Sequence, residues 1–329
     1  MSVMKRTGQS KADSNRVSVA IAQSAPVFLD KRASLARALA LIQQAAKRDA
    51  QLVAFGESWL AGYPAWLDVC PGAALWENAS AKDVFARLRS NSIVVPGEEV
   101  NALSEAARDL KIAIVIGASE RVDAGPGNGT LYNSLLTISE DGQLRNHHRK
   151  LVPTYTERLV WGNGDGRGLE AVHTSVGRVG GLICWEHWMP LARMAMHNSG
   201  EHIHVAVWPT VHELHQLASR HYAFEGRCFV LAVGLMMPVE DLPHELGVGV
   251  ALPAAEGRWV ERGGSAIIGP NSHYVIEPVF DREELIVADL DLTKIDRERM
   301  TFDVSGHYAR PDLFRFEKKI IDTKRQESI

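Results

Sequence analysis

The feature that most constrains the fold is a repeated alternation of short apolar segments with amphipathic ones, beginning at Val17. The segments VSVAIAQ (17–23) and QLVAF (51–55) have the composition of strands. Between them, ASLARALALIQQAAKR (33–48) repeats its apolar residues with helical spacing. Turn-forming sequences such as GPGNG (125–129) separate later segments of the same two kinds. This alternation predicts an α/β protein.

The other segments are assigned by the same two periods. We predict strands at 112–117, 131–138, 178–184, 204–209 and 228–234, and in GSAIIGP, HYVIEP and LIVADLD. We predict helices at 100–110, 190–198 and 213–227, and a short one in DLTKIDRER. Most of the predicted strands are apolar runs, which indicates burial on both faces. We therefore expect sheets that are covered by helices on one side and packed against another sheet on the other.

The domain organisation is predicted from what interrupts the pattern. No low-complexity linker or internal repeat divides the chain, so we expect one domain over residues 17–316. Residues 1–16 are polar and lack the apolar core of a signal peptide, which predicts a flexible leader. Residues 317–329 are expected to form a polar tail.

Composition narrows the class of protein. The chain has 329 residues, of which 46% are hydrophobic and 23% charged, as in ordinary globular proteins. Its net charge of −4 gives no reason to expect a nucleic acid or a membrane surface as partner. The longest apolar stretch, FVLAVGLMMPV (229–239), is too short for a membrane span of about 20 residues. The three cysteines are odd in number and far apart, which predicts a reducing compartment, the cytoplasm.

Among the three cysteines, Cys184 has an unusual context. A free cysteine is usually an inert core residue, and Cys70 and Cys228 are interpreted in that way. Cys184 ends the Gly-Gly-containing segment RVGGLIC and precedes a predicted turn into a helix. The N-terminus of a helix favours the thiolate, the form that attacks carbon. We expect the flanking glycines to let Cys184 occupy a tight strand-to-helix turn, as a nucleophile or as buried filler.

A thiolate nucleophile requires a base, for which the chain offers histidines and two distinctive charged residues. His212-Glu-Leu-His215 falls one residue short of the H-E-x-x-H zinc motif. We therefore predict no metal site and interpret His212 and His215 as polar residues on a helix face. Glu57 lies where QLVAF ends, and Lys150 lies among basic residues before a Pro-Thr turn. Either residue alone would be interpreted as solvated surface.

Taken in chain order, three motifs resemble those of the nitrilase superfamily of carbon-nitrogen hydrolases, whose members carry a Glu-Lys-Cys catalytic set. Glu57 matches the glutamate of F-x-E-x-x-x-x-G-Y-P, and Lys150 matches the lysine of R-K-L-x-P-T-x-x-E-R-x-x-W-G-x-G-D-G. Cys184 matches the cysteine of G-x-x-x-C-W-E. The resemblance extends from Val17 to about Phe316 and includes the late segments GGSAIIGP and GHYARPD. Cys-Trp-Glu-His followed by a proline is similar to the nitrilase branch of the superfamily.

The resemblance implies an α-β-β-α sandwich, which agrees with the alternation of segments. It also implies subunits that pair through helices, so we expect a homodimer or a higher homo-oligomer. Only Leu313–Ile329 follow the GHYARPD segment. Relatives that form spirals usually have longer C-termini, which argues against a long filament. The chemistry of the family requires neither a metal nor an organic cofactor, so none is expected.

The function that the resemblance implies is a nitrilase, which hydrolyses a small organic nitrile to the carboxylic acid and ammonia. Cys184 would form a thioimidate and then a thioester, with Glu57 as general base. Lys150 would stabilise the tetrahedral intermediates together with the backbone N–H of Trp185. Glu157 matches a second family glutamate that positions the lysine or the substrate.

Aromatic residues near these motifs are candidates for the walls of a substrate pocket. We predict this role for Trp59, Tyr63 and Trp188, with Trp188 limiting the size of the substrate. Glu186 and His187 are expected to brace the turn after the cysteine. Two other functions stay open: an amidase or cyanide hydratase-type reaction on the same Glu-Lys-Cys site, and a non-enzymatic scaffold that retains the motifs.

Overall fold

The computed structural model describes residues 15–247 and 258–319. The predicted leader (1–16) and tail (317–329) therefore lie outside the described residues, except for Asn15 and Arg16 and for residues 317–319. Arg16 already belongs to the first strand. Within the described part, none of the helices is both long and apolar enough to span a membrane.

Strands and helices alternate along most of the chain. The strands are β1 Arg16–Gln23, β2 Leu52–Phe55, β3 Ala113–Arg121, β4 Leu131–Ile138, β5 Leu144–Arg149, β6 Val172–Thr174, β7 Gly177–Ile183, β8 Ile203–Trp208, β9 Phe229–Gly234, β10 Met236–Pro238, β11 Trp259–Ile268, β12 Tyr274–Phe280 and β13 Glu284–Asp291. The helices are α1 Lys31–Ala46, α2 Trp66–Val69, α3 Ala79–Asn91, α4 Glu98–Leu110, α5 Pro190–Ser199, α6 Glu213–Gly226 and α7 Thr293–Arg299.

The strands form two sheets. The first has the order β13-β1-β2-β3-β4-β5, and the second has the order β10-β11-β9-β8-β7-β6 with β12 also paired to β11. In the first sheet β1, β2 and β3 are parallel, β4 is antiparallel to β3, and β5 is antiparallel to β4. It follows that β5 runs in the same direction as β2, so both strands end at the same edge of the sheet.

Apolar side chains on alternating strand positions hold the layers together. In β1, Val19 and Ile21 pack with residues of the second sheet, whereas Ala20 and Ala22 pack with residues of helices α1, α3 and α4. Helices α5 and α6 cover the outer face of the second sheet. Since burial of one large aliphatic side chain contributes about 1.5–3 kcal/mol, these layers supply the main driving force for folding. The arrangement is the predicted α-β-β-α sandwich.

The predicted segments agree with the structure in type, with bounds that differ by a few residues. The helix predicted at 213–227, for example, is Glu213–Gly226. Elements that the sequence pattern did not predict are α2, α3, β5, β6 and β10. The strand β5 has the polar sequence LRNHHR because it lies at the edge of its sheet, where alternate side chains reach solvent.

Candidate active site

Glu57 follows β2 after one intervening residue, Gly56, and β2 is a central strand whose four residues are all buried. The turn that carries it lies against β3, where the backbone N–H of Leu60 donates to the carbonyl of Gly117 at 3.0 Å. A Cβ at Gly117 would overlap the backbone of residues 56–58, so glycine is required for this close approach. Ser58 has a φ of +48°, an uncommon conformation outside glycine. Neighbouring backbone therefore fixes the position of the Glu57 side chain.

Lys150 follows directly after β5, at the same edge of the first sheet as Glu57. Its backbone N–H donates to the carbonyl of Asn133 in β4 at 2.8 Å. The lysine side chain is buried rather than solvated. A buried lysine in an apolar fold requires anionic partners, and the site supplies them.

Cys184 follows β7 in the second sheet and begins a 3-10 turn, Cys184–Trp188, that leads into α5. Its φ of +52° places it in the left-handed region, which is strained for a residue with a side chain. The expected strand-to-helix turn is present, but the glycines do not form it. Gly180 and Gly181 lie inside β7, where Cβ atoms would overlap the side chain of Glu201 and that of Leu135, respectively. They make room for packing, and the cysteine itself adopts the turn conformation.

Glu186 braces the turn after Cys184. Its carboxylate accepts hydrogen bonds from the backbone N–H groups of Ile183 and Leu151, both at 2.7 Å. It also contacts Nε2 of His148 at 2.9 Å. Burial acts to raise the pKa of Glu186, but His148 and the backbone donors outweigh it and hold the pKa below its usual value. The bracing role predicted for this residue agrees with these contacts, which tie the cysteine turn to the segment that begins at Lys150.

The structure brings Glu57, Lys150, Glu157 and Cys184 into one buried cluster. Lys150 Nζ donates to Glu57 Oε1 at 3.0 Å and to Glu157 at 2.7 and 2.9 Å. One carboxylate oxygen from each glutamate and the sulfur of Cys184 lie within 4.8 Å of one another. Residues separated by more than 120 positions in sequence thus meet where the ends of β2, β5 and β7 converge.

Glu57 is held by one of its two oxygens. Oε1 accepts hydrogen bonds from Lys150 and, at 2.7 Å, from the side-chain amide of Asn133. Oε2 is buried and has no hydrogen-bond partner among the described residues. Burial raises the pKa of Glu57 to about 7, although the charge of Lys150 opposes the shift. A carboxylate with a free oxygen and a pKa near neutrality is suited to accept and return protons.

Lys150 remains protonated in this environment. Burial alone would lower its pKa, but a negative charge that forms on Cys184, and the charges of Glu57 and Glu157, raise the pKa above its usual value. The ammonium is therefore a fixed positive charge beside the cysteine, rather than an acid that titrates near neutral pH.

The protonation state of Cys184 differs from the sequence prediction, in which the turn favours the thiolate. Burial raises the pKa of Cys184 well above its usual range, and the charge of Glu57 adds to the increase. A hydrogen bond from the backbone N–H of Trp185 and the charge of Lys150 act in the opposite direction without reversing it. At rest the group is a neutral thiol, so reaction requires a base to remove its proton.

Glu157 is buried and holds Lys150 in place. It lies in a 3-10 turn, Tyr155–Leu159, and accepts a hydrogen bond from the backbone N–H of Thr154 at 2.8 Å. The hydroxyl of Tyr63 donates to its Oε1 at 2.8 Å. Glu157 thus has three kinds of donor and, unlike Glu57, no free oxygen among the described contacts.

A metal ion would meet an unfavourable charge in this cluster. Glu57, Glu157 and Cys184 are the one group of three metal-ligating side chains that lie close together in residues 15–247 and 258–319. However, the ammonium of Lys150 lies within 3.0 Å of both carboxylates and would repel a cation there. His212 and His215, the near match to a zinc motif, are not part of any such group in this part of the chain.

The aromatic residues predicted for the substrate pocket lie in different environments. Tyr63 contacts the cluster through Glu157, as described above. Trp59 is buried in the core against Phe55, and its indole N–H donates to the carbonyl of Ser24 at 2.7 Å. Trp185 and Trp188 are 47% and 36% exposed, on the surface of the turn that begins at the nucleophile candidate.

Some residues of the site were not predicted from sequence. Asn133 binds Glu57, and its only signal is that it is the one amide in the strand LYNSLLTI. His204 lies in the strand predicted at 204–209 and is fully buried in β8, and no role was predicted for it. It contacts Glu201 and His187, on the side of Cys184 opposite to the charged cluster.

Comparison with known proteins gives the family. Residues 18–299 match the model of the carbon-nitrogen hydrolase family. The chain is 40% identical over 303 residues to a protein named nitrilase 2 from an unknown prokaryotic organism, covering 92% of each chain. It is 38% identical over 314 residues to an aliphatic nitrilase from Sinorhizobium fredii (strain HH103), covering 94% of this chain and 97% of that protein.

Comparison with solved structures agrees with the match to the family. The crystal structure of Saccharomyces cerevisiae Nit3, described as a member of branch 10 of the nitrilase superfamily, superposes with a TM-score of 0.69. That match covers 90% of this chain and 97% of the yeast protein at 23% identity, and it supports the sandwich fold. On the match to the family model and the identity to these relatives, the chain belongs to the carbon-nitrogen hydrolase family.

Proposed function

We propose that this enzyme is a nitrilase, which hydrolyses a small organic nitrile to its carboxylic acid and ammonia. The observation that carries the proposal is the free, buried Oε2 of Glu57 beside the neutral thiol of Cys184 and the ammonium of Lys150. The names of the two relatives, nitrilase 2 and aliphatic nitrilase, support nitriles as the substrate class.

The first step is the attack of sulfur on the nitrile carbon. Glu57 takes the proton of the Cys184 thiol, and the thiolate forms a C–S bond while the nitrile nitrogen gains the proton. The product is a thioimidate, R–C(=NH)–S–enzyme. Lys150 and the backbone N–H of Trp185 stabilise the negative charge that develops on nitrogen, because Lys150 is a buried, fixed donor and the Trp185 N–H already contacts Cys184.

The second part of the reaction releases ammonia and then acid. A water molecule that gives a proton to Glu57 adds to the thioimidate carbon, and the tetrahedral intermediate loses ammonia to leave a thioester. A second water, activated in the same way, cleaves the thioester to the carboxylic acid and restores the thiol. The proton-accepting role of Glu57 in each step explains why one of its oxygens has to stay free.

Two alternative reactions on the same site differ from complete nitrile hydrolysis, one in the substrate and the other in the leaving group. An amide substrate would begin at the tetrahedral stage, with no thioimidate. A nitrile whose tetrahedral intermediate expels the thiol instead of ammonia would give an amide, as in a cyanide hydratase-type reaction. Neither alternative has an observation that favours it over complete hydrolysis.

The test is a panel of aliphatic, aromatic and arylacetonitrile substrates beside the matching amides, with acid, amide and ammonia measured together. We expect equal amounts of acid and ammonia from at least one class of nitrile. Cys184→Ala, which retains the fold, should release neither product, and Cys70→Ala, a second buried cysteine outside the cluster, should retain activity within about threefold. Turnover of amides with every nitrile untouched would refute the proposal.

The assembly that we propose is a homodimer, or a higher homo-oligomer built from it, formed through α5 and α6. These helices present large exposed apolar side chains on the outer face of the second sheet: Leu191, Leu214, Leu217 and Phe224. Apolar groups clustered on one face are characteristic of association surfaces. Sedimentation of the protein should give at least a dimer, and the double change Leu214→Glu with Leu217→Glu should give a monomer.

We also propose that residues 17–316 form one catalytic domain and that the protein acts in the cytoplasm. Support for a reducing compartment comes from Cys70, Cys184 and Cys228, which are all unpaired and buried. Limited proteolysis should leave a core close to these bounds with full activity. Cell fractionation should find the protein with the cytoplasmic markers.

A further inference from the structure

A chain of four buried side chains leads to the backbone of Cys184 from the side opposite the charged cluster. Tyr222 in α6 donates its hydroxyl proton to Glu201 Oε2 at 2.5 Å. Glu201 Oε1 lies 2.6 Å from Nδ1 of His204, and Nε2 of His204 lies 3.0 Å from Nε2 of His187. Nδ1 of His187 lies 2.7 Å from the carbonyl oxygen of Cys184. All four side chains are at most 3% exposed.

The proton positions in this chain follow from its last link. A carbonyl oxygen only accepts, so Nδ1 of His187 carries a proton and, in the neutral ring, Nε2 is an acceptor. His204 must therefore donate from Nε2, which leaves its Nδ1 as an acceptor in the neutral ring. Glu201 must then donate from Oε1, which requires a protonated carboxyl group. The alternative of an anionic Glu201 with a cationic His204 holds the same number of protons and gives the same direction.

Burial favours the neutral arrangement of these groups. It raises the pKa of Glu201 to about 7, and it lowers the pKa values of His204 and His187 well below their usual range. Burial raises the pKa of Tyr222 well above its usual range, so its hydroxyl remains a donor. The hydrogen bonds of the chain are thus complete below neutral pH.

We propose that Glu201 is a positioning residue for the nitrilase reaction and that loss of one proton from the Glu201–His204 pair sets the alkaline limit of activity. Without that proton, two acceptors face each other at one link. A carboxylate facing the bare Nδ1 of His204 is the least favourable case, so the loss falls between the histidines or at the Cys184 carbonyl. The carbonyl belongs to a residue with a left-handed φ of +52°, so a lost hydrogen bond there releases a strained backbone that aims the sulfur. This inference rests on the function proposed above.

Other groups around the chain are buried, and none can substitute for the missing proton. His197 of α5 packs on the Tyr222 ring at 4.7 Å but bonds to Glu225 at 3.0 Å. Cys228, at the start of β9, faces Glu201, and burial raises its pKa well above its usual range.

Charged and titratable groups also face the two histidines of the chain. His197, Glu186 and His148 act on the charge of His204, and His204, Glu186 and His215 act on that of His187. Glu186 is engaged by His148 and by backbone N–H groups, and Nδ1 of His215 lies 2.6 Å from the carbonyl of Thr210.

Gly180 leaves room for the carboxyl group of Glu201 in this hydrogen-bonded chain. A Cβ at Gly180, in β7, would overlap Glu201 Oε1, the atom that donates to His204. Since β7 ends at Ile183, directly before the nucleophile, the strand that carries Cys184 also provides the space for the carboxyl group. Gly180→Ala should therefore displace Glu201 and reproduce the effect of removing it.

The experiment measures the rate of alkylation of Cys184 by iodoacetamide, and kcat/KM for a nitrile, from pH 6 to pH 9 in three variants. Glu201→Gln donates its amide N–H to His204 and accepts from Tyr222, so it imitates a proton that cannot be lost. We expect its rates to lie within about threefold of the parent at pH 6. From pH 6 to pH 9, the rate of the parent divided by the rate of this variant should then fall at least threefold, for alkylation and for kcat/KM. Glu201→Leu, which breaks the chain, should lower both rates at least tenfold at every pH.

Glu225→Gln is the matched control. Glu225 lies near the chain, but its pKa is about 2, because hydrogen bonds from His197 and Arg193 outweigh burial, so it stays ionised from pH 6 to 9. The rates of the parent divided by those of Glu225→Gln should not change with pH. A ratio for Glu201→Gln that is equally flat, or a Glu201→Leu variant that matches the parent, would overturn the proposal. Because alkylation needs no nitrile, a protein that turns over no nitrile would fail the proposed function while the alkylation rates still decide this inference.

Discussion

Glu57 and Glu201 are two buried glutamates on opposite sides of Cys184, and burial raises the pKa of each to about 7. Their surroundings differ in one respect. Glu57 Oε2 has no partner among the described residues, whereas both oxygens of Glu201 are engaged, by Tyr222 and His204. A similar proton affinity therefore serves two purposes: a carboxylate with a free oxygen can exchange protons with a substrate, and one with both oxygens engaged can only hold its neighbours.

The two sides also differ in charge. The Glu57 side contains an ammonium between two carboxylates, which is stable in the interior only because Lys150 contacts both. The Glu201 side reaches full hydrogen bonding with no net charge. In the proposed mechanism, charge thus lies where the reaction develops charge, and the neutral chain supports the backbone of Cys184 from the other side.

The largest expected effect comes from making the same change on both sides. Glu57→Gln should lower kcat/KM for a nitrile by about 10²–10⁴, the usual contribution of a general base. Glu201→Gln should change it less than about threefold at pH 6. In the parent enzyme, activity should fall as the pH is lowered through about 7, because Glu57 gains a proton there. Equal losses in the two variants would show that the free oxygen of Glu57 has no special role.

Lys150→Met should cause the next largest effect, on stability. It leaves Glu57 and Glu157 buried without their cation, which typically costs about 3–5 kcal/mol. The loss should be smaller at pH 5 than at pH 8, because Glu57 can take up a proton at the lower pH. Urea unfolding at both pH values measures it, and adding Glu157→Gln to Lys150→Met should restore part of the loss. A loss under about 1 kcal/mol at pH 8 would contradict the view of Lys150 as the counterion of both carboxylates.

Glu201→Gln should remove a pH dependence of stability. Native Glu201 holds its proton up to about pH 7, whereas an unfolded chain releases it near 4.5. Between these values the free energy of unfolding of the parent should fall, by up to about 1.4 kcal/mol per pH unit, relative to that of the variant. Urea unfolding of both proteins at pH 5, 6 and 7 gives the difference, from which the similar contribution of Glu57 cancels. Parallel curves would mean that Glu201 is ionised in the native protein.

The sequence predicted the charged side of Cys184 better than the neutral side, for physical reasons. Glu57 and Cys184 follow the apolar strands β2 and β7, where a polar residue at the boundary gives a local signal, and Lys150, after the polar strand β5, belongs to a family motif. His204 lies within the apolar strand β8, Glu201 lies in the loop three residues before it, and Tyr222 belongs to α6. Only packing of α6 on the second sheet brings Tyr222 to Glu201, and no local pattern encodes that contact.

The helices and strands also divide into those that a local sequence pattern predicts and those that it does not. Strands with both faces buried, such as β8 and β9, were predicted from continuous apolar runs. The helix α3 was not predicted, because only three of its thirteen residues are buried: Ala81, Val84 and Leu88. Its one local signal is the capping residue Asn78, whose side chain accepts from the backbone N–H of Ala81.

The smallest expected effects come from two tyrosines, one on each side of Cys184. Tyr63 donates to Glu157, which keeps Lys150 and the Thr154 N–H as donors when the hydroxyl is removed. Tyr63→Phe should therefore cost about 1 kcal/mol of stability and lower kcat/KM about fivefold through a less fixed Lys150. Tyr222→Phe should cost more, about 1–3 kcal/mol, because it leaves Glu201 Oε2 without its donor in a buried site. Thermal or urea unfolding of the two variants separates them. If Tyr63→Phe proved the more destabilising, the charged cluster would depend on that single hydroxyl more than its other donors imply.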